Sequence, residues 1–201
     1  MFDYISEKIT NQLIRKEVII YAERDIYKYG LEQLFMTVLN LATTVFLGIL
    51  YGQLWQGLLF VAAFMAIRSY AGGYHAATPV RCYLLTTLII TAVLSVIKYV
   101  KIDIFICLLL LAASGVIILS LSPVESENKP LDNMEKMIYR TKTIVSWCVE
   151  TFAAVISVLL KYEGIAVCIM MAELIIGLSL ISGTIHLRKC KIYDSKSGGK
   201  K

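Results

Sequence analysis

Six stretches of apolar residues, each about as long as a membrane-spanning helix or slightly shorter, follow one another along the chain. They lie near residues 33–50, 53–67, 82–98, 103–122, 143–161 and 164–186. Only "YGQLWQG" separates the first two, so a single bent element is an alternative there. The pattern predicts an all-α polytopic membrane protein with about six transmembrane helices. A four-span variant stays open if one or two stretches only dip into the membrane interface.

The residues before these stretches, 1–32, have the spacing of an amphipathic helix. Phe2, Ile5, Ile9 and Leu13 are three or four residues apart and therefore share one face of a helix. We expect this region either to lie in the membrane interface or to pack on the protein's own cytoplasmic loops. At the other end, the basic segment 189–201 is predicted to be a disordered tail, which leaves 1–188 as a single membrane-embedded domain.

Composition and charge support a multi-pass protein of the cell membrane. Hydrophobic residues make up 58% of the chain and charged residues 17%, which leaves too little polar surface for a water-soluble globule. All Lys and Arg residues except Lys98, Lys101 and Lys161 fall on one side of a six-span arrangement. The positive-inside rule places that side, with both termini, in the cytoplasm. The net charge of +5 then reflects orientation, and we expect membrane lipid as a partner but no nucleic acid.

Candidate chemistry is concentrated in "RSYAGGYHAATPVRCY", between the second and third apolar stretches. His75 precedes Cys82 by seven residues. A cysteine nucleophile needs a base or a neighbouring cation, and histidine supplies either near neutral pH. Pro79 prevents a straight helix through the segment, and Gly72 and Gly73 permit backbone angles closed to other residues. The segment can therefore fold back and bring imidazole and thiol together.

Other residues of this segment have possible roles in the same chemistry. The N–H groups of Gly72 and Gly73, or those of the following helix, are candidates for stabilising an oxyanion. Arg68 and Arg81 are candidates for binding an acidic part of a substrate. The alternative for the whole segment is an ordinary turn at the membrane interface that happens to contain a His and a Cys.

The remaining cysteines and a metal site are weaker candidates. Cys107, Cys148 and Cys168 lie inside apolar stretches, where a thiol behaves as a small hydrophobic group. Cys190 lies among basic residues and is a candidate for lipidation. A structural zinc ion usually takes four ligands, and the segment with His186 offers three at most. We expect neither a metal nor a cofactor.

Two motifs resemble the AgrB family, membrane endopeptidases that process the precursor of a cyclic autoinducer peptide in Gram-positive quorum sensing. They are "RSYAGGYHAATPVRC" and "SPVESENKPL", the latter at 122–131. The resemblance implies that 1–188 is a peptidase domain in which His75 is the general base and Cys82 the nucleophile. It also implies an AgrD-type precursor as substrate, a thioester on Cys82, thiolactone or lactone cyclisation, and a homodimer.

Charged residues elsewhere are further candidates for contacting the substrate. Glu150 and Glu173 lie inside predicted spans, where acids are costly and often functional, so they are candidates for orienting the base or pairing with a substrate cation. An ordinary hydrogen bond between helices is the alternative for both. Lys129, Lys136 and Lys142 are candidates for attracting an acidic substrate tail; the alternative is a solvated loop whose positive charge fixes topology.

Two other classes of function remain open from the sequence. A small multi-span peptide exporter or transporter would explain six spans and the intramembrane acids, but it would not need a His and a Cys at one membrane face. A membrane scaffold or sensor partner would also span the membrane, and for it Cys82 would be dispensable.

Overall fold

The computed structural model describes residues 2–73, 78–125 and 132–197, with side chains from 3 to 188 within those ranges. These residues form seven α-helices, a short 3-10 helix at Tyr21–Glu23 and no β-strand. Six of the helices, α2 to α7, are long and apolar enough to cross a membrane, which confirms the six-span prediction. The helices are α1 (Phe2–Arg15), α2 (Arg24–Tyr51), α3 (Leu54–Ala71), α4 (Pro79–Tyr99), α5 (Ile104–Leu121), α6 (Asn133–Leu159) and α7 (Glu163–Ser197).

The first two spans are separate antiparallel helices and not one bent element. Gly52 ends α2 in the left-handed conformation, with φ 68°, and its N–H donates to the carbonyls of the preceding turn. Only Gln53 then precedes α3. The two helices approach closely because glycines face the contact: a Cβ on Gly48 would lie 2.9 Å from the Cα of Leu54. Gly48 and Gly52 thus allow a tight helical hairpin.

The last span, α7, is the most deeply buried of the six and forms the centre of the bundle. It packs against α3, α5 and α6, and Met170, Ile176 and Leu180 are completely buried. The outer faces of the other spans carry exposed apolar side chains such as Val116 and Phe152. This arrangement, a packed interior with an apolar exterior, suits a bundle surrounded by lipid.

The N-terminal helix α1 packs against the start of α2. The Lys28 ammonium lies 2.6 Å from the Asp3 carboxylate, and the Arg24 guanidinium lies 2.8 Å from Glu7. The hydrogen bond from Lys28 lowers the pKa of Asp3 below its usual value. The helix therefore contacts the protein itself, as one of the two alternatives predicted, although its partner is a spanning helix and not a loop.

Three helices extend beyond their apolar stretches. The second helix begins at Arg24, inside the region expected to be separate from the spans. The sixth begins at Asn133 because the Glu135 carboxylate accepts a hydrogen bond from the Asp132 N–H and so caps the helix. The seventh continues to Ser197, into the segment predicted to be disordered, whose residues up to that point include no glycine or proline.

Candidate active site

The end of α3 and the start of the second motif are joined at the Gly-Gly pair. Gly72 and Gly73 have φ values of 73° and 122°, which residues with a side chain rarely adopt. The Val124 N–H donates to the Ala71 carbonyl at 2.9 Å, and a Cβ on Gly72 would collide with the Val124 carbonyl oxygen. The Gly72 N–H already donates to the Arg68 carbonyl at 3.3 Å. The glycines thus serve close packing of the two loops, and the Gly72 amide is engaged in ending α3.

Arg68 folds back over this pair from the last turn of α3. Its Nη1 donates to the Gly72 carbonyl. A Cβ on Gly73 would collide with the guanidinium and would lie 2.9 Å from Ser179 Oγ on α7. The backbone of the loop therefore holds a cation at the end of α3.

Cys82 lies in the first turn of α4. Thr78 precedes the helix and its side-chain oxygen accepts a hydrogen bond from the Arg81 N–H at 3.3 Å, while Pro79 is the first helical residue. The Cys82 N–H donates to the Thr78 carbonyl at 3.0 Å, and the side chain is half-buried and not in a disulfide.

The structure brings Arg68, Gly72, Gly73 and Cys82 to one end of the bundle, which we call the Gly-Gly end. Arg81 is exposed there, on the turn of α4 that contains Cys82. His75 and Lys129 lie outside the described residues. Among the described residues, no group of three or more His, Cys, Asp or Glu side chains is arranged to bind a metal ion.

A family model described as accessory gene regulator B matches residues 6–182. The chain belongs to this AgrB family. Among curated proteins, it is 25% identical over 168 residues to "Putative AgrB-like protein 2" of Clostridium perfringens (strain 13 / Type A), covering 80% of this chain and 77% of the relative. It is 24% identical over 167 residues to "Putative AgrB-like protein" of strain SM101, with 79% and 76% covered. No solved structure matches the chain significantly.

Membership in the AgrB family supports a role in the processing of an accessory gene regulator peptide. Together with the six apolar helices, it supports a multi-pass membrane protein. The matched residues include α2 to α6 entirely and both sequence motifs, which the bridge between Gly72 and Val124 brings into contact.

The lysines that follow the second motif lie on the first turns of α6. The Lys136 ammonium pairs with Glu125, and the Lys142 Nζ lies 5.0 Å from the centre of the Tyr70 ring. The Tyr70 ring in turn lies 6.3 Å from that of Tyr139. Both lysines thus belong to the Gly-Gly end, beside the last turn of α3. Helix α6 carries them where the sequence predicted a loop, because it begins ten residues before its apolar stretch.

The two intramembrane acids have different surroundings. Glu173 on α7 is fully buried and accepts hydrogen bonds from Trp147 Nε1 at 3.0 Å, Thr151 Oγ1 at 3.2 Å and Ser114 Oγ at 3.4 Å. Glu150 on α6 is 9% exposed, and neither of its carboxyl oxygens has a hydrogen-bond partner in the described part of the chain. Glu173 therefore makes the inter-helix hydrogen bonds of the simpler alternative, whereas Glu150 does not.

Neither acid is part of the Gly-Gly end. Glu173 precedes Ser179 on α7 by six residues, which corresponds to about 9 Å along the helix axis. The contacts that the sequence did not reveal are those of Ser179, Val124 and Trp147. Each of these contacts depends on which distant helices or loops meet. Of the three residues, only Val124 could have been singled out from the sequence, because it belongs to the second motif.

Proposed function

We propose that this protein is a membrane-embedded cysteine endopeptidase that cleaves the C-terminal part of an AgrD-type precursor and promotes cyclisation of the remainder for quorum sensing. The observation that carries the proposal is the position of Cys82. It lies in the first turn of α4, half-buried and not in a disulfide, at the Gly-Gly end that also holds Arg68. Family membership supplies the class of substrate.

In the proposed reaction, His75 takes the thiol proton and Cys82 Sγ attacks the carbonyl carbon of the bond to be cut. The C–N bond breaks, the departing amine takes the proton from His75, and the N-terminal part of the peptide remains on Cys82 as a thioester. A cysteine or serine within that peptide then attacks the thioester, which closes the ring and returns the thiol of Cys82. The guanidinium of Arg68 stabilises negative charge on the sulfur as it attacks and leaves.

The proposed setting is the cytoplasmic face of the cell membrane of a Gram-positive bacterium, with both termini on the same side as Cys82 and the protein acting as a homodimer. The excess of Lys and Arg at the Gly-Gly end supports this orientation. Lys136, Lys142 and Arg81 supply positive charge there for an acidic substrate tail, and we propose that Lys129 adds to it.

Replacing Cys82 with Ala tests the nucleophile directly. We expect the Cys82→Ala variant to lose cleavage of the precursor by at least about 10³-fold, because no other group supplies the acyl acceptor. The matched control is Cys148→Ala, since Cys148 is an exposed cysteine of another helix. Cleavage is followed by mass spectrometry of the precursor with purified protein. Full activity of Cys82→Ala would contradict the proposal.

The second candidate is a peptide exporter, which the buried carboxyl of Glu150 favours, since its oxygens have no hydrogen-bond partner among the described residues. The two functions separate in reconstituted vesicles without any ion gradient. A peptidase cuts the precursor under those conditions, whereas an exporter moves it only when a gradient is imposed and leaves it intact.

A further inference from the structure

A cavity of about 260 Å³ lies between α2, α3 and α4. Its walls are mostly apolar, with Phe60 and Phe64 on α3 and Ile89 and Ile90 on α4. Cavities of roughly 150 Å³ with comparable walls hold a benzene molecule in other proteins. This cavity therefore has room for one large aliphatic or aromatic side chain.

On α4, the cavity begins one helical turn after Cys82. Thr86, Ile89 and Ile90 line it and follow Cys82 by four, seven and eight residues, so they share its face of α4. The Thr86 hydroxyl donates to the Cys82 carbonyl at 2.9 Å. From Thr86 to Ile90 the helix rises about 6 Å, so the α4 wall of the cavity starts one turn after Cys82 and runs into the bundle.

The cavity also has polar groups that suit a peptide. Arg68 forms part of the lining on α3. Asn40 lines it from α2, and its side-chain oxygen is buried with no hydrogen-bond partner among the residues described. This oxygen can accept a hydrogen bond from a backbone N–H of a bound peptide, whereas a lipid tail has no donor to offer.

We propose that this cavity binds the side chain of the residue on the N-terminal side of the cut bond, and that it selects a large apolar residue there. When the carbonyl of that residue is bonded to Cys82 Sγ, its side chain is the substrate group nearest to the cavity. The assignment rests on the proposed role of Cys82 as nucleophile. The assignment goes beyond that role because it specifies that the acyl group ends in a large apolar residue.

Thiol-directed probes of graded size test this assignment in the purified full-length protein. The probes are acetyl-dipeptide acyloxymethyl ketones that end in Ala, Leu or Phe, from which the Cys82 sulfur displaces the carboxylate. Labelling rates at Cys82 are read by mass spectrometry. We expect the Leu and Phe probes to label Cys82 at least about tenfold faster than the Ala probe, because only they fill the cavity.

Two filling variants and one matched control make the test specific. Ile89→Trp on the α4 wall and Val61→Phe on the α3 wall should each lower the labelling rates of the Leu and Phe probes to that of the Ala probe. The control is Leu88→Trp at the preceding position of α4, where the side chain is 66% exposed. This variant should keep the preference.

The possible failures are distinguishable. Equal rates for all probes at a labelled Cys82, or a preference that survives both filling variants, would overturn the cavity assignment and leave the proposed nucleophile standing. A co-purified lipid that is lost in both filling variants, with no side-chain preference in wild type, would make the cavity a lipid site and overturn the assignment as well. No preference for Cys82 over Cys148 would overturn the nucleophile and the cavity assignment together.

Discussion

Gly72 has two separate reasons to lack a side chain, its backbone angle and its contact with Val124. Gly52 has a similar φ of 68° but nothing within 4 Å of the position that a Cβ would occupy. The ψ angles differ, however: Gly52 has ψ 28°, in the left-handed helical region, whereas Gly72 has ψ −147°, in a region that is essentially restricted to glycine. Gly72→Ala therefore adds both greater backbone strain and the collision with Val124. We expect Gly52→Ala to lower the free energy of unfolding by about 1 kcal/mol, the cost of a side chain in the left-handed region.

Gly72→Ala should cost more than Gly52→Ala and should also reduce precursor cleavage, because Val124 has to move away from the Gly-Gly pair. We expect about 2–3 kcal/mol in stability and at least a tenfold loss of cleavage. Thermal unfolding in detergent and cleavage of the precursor measure the two effects. A Gly72→Ala variant with the stability and activity of Gly52→Ala would show that contact between the two motifs is unnecessary.

Among the helices, the Glu173 carboxylate joins α7 to α5 and α6 through Ser114, Trp147 and Thr151. Replacing Glu173 with Leu leaves the Trp147 and Thr151 donors unpaired, at about 1–3 kcal/mol for each buried donor. Glu150→Leu, a change of the same chemistry on α6, removes no hydrogen bond seen in the described part of the chain. We expect Glu173→Leu to lower the unfolding temperature in detergent clearly, and Glu150→Leu to leave it unchanged or raise it.

These two variants also separate structural from functional acids. If Glu150→Leu retains stability but loses cleavage or transport of the precursor, its carboxyl acts on the substrate. Equal destabilisation by both substitutions would contradict the different surroundings that we describe for Glu150 and Glu173.

Helix identity was predictable from the sequence, but the contacts between helices were not. The apolar stretches predicted six spans, and Pro79 with the Gly-Gly pair predicted the interruption between α3 and α4. The pairing of Glu173 with Trp147 was not predictable, because it depends on which faces of two distant helices meet. The early start of α6 could have been predicted from Asp132 and Glu135, which have the spacing of a helix cap.

At the scale of the whole molecule, the arrangement places the turn after α6 at the opposite end of the bundle from the start of α6. Met134 and Tyr162 are each 64% exposed and represent these two ends. In a cysteine-free background, we expect Tyr162→Cys to react with a membrane-impermeant maleimide in intact cells. Met134→Cys should react only after the membrane is permeabilised, since the basic end is expected inside. Labelling of both cysteines from outside would contradict the six-span topology. Labelling of Met134→Cys but not Tyr162→Cys in intact cells would contradict the orientation.

The central claim is that Cys82 carries the acyl group, and an acid-trapped mixture of purified protein and AgrD-type precursor tests it most directly. Peptide mapping by mass spectrometry should find the N-terminal part of the precursor attached through a thioester to Cys82, in wild type but not in Cys82→Ala. With His75→Ala the amount should fall strongly. An adduct on another cysteine, or cyclic product formed at the normal rate by Cys82→Ala, would contradict the account.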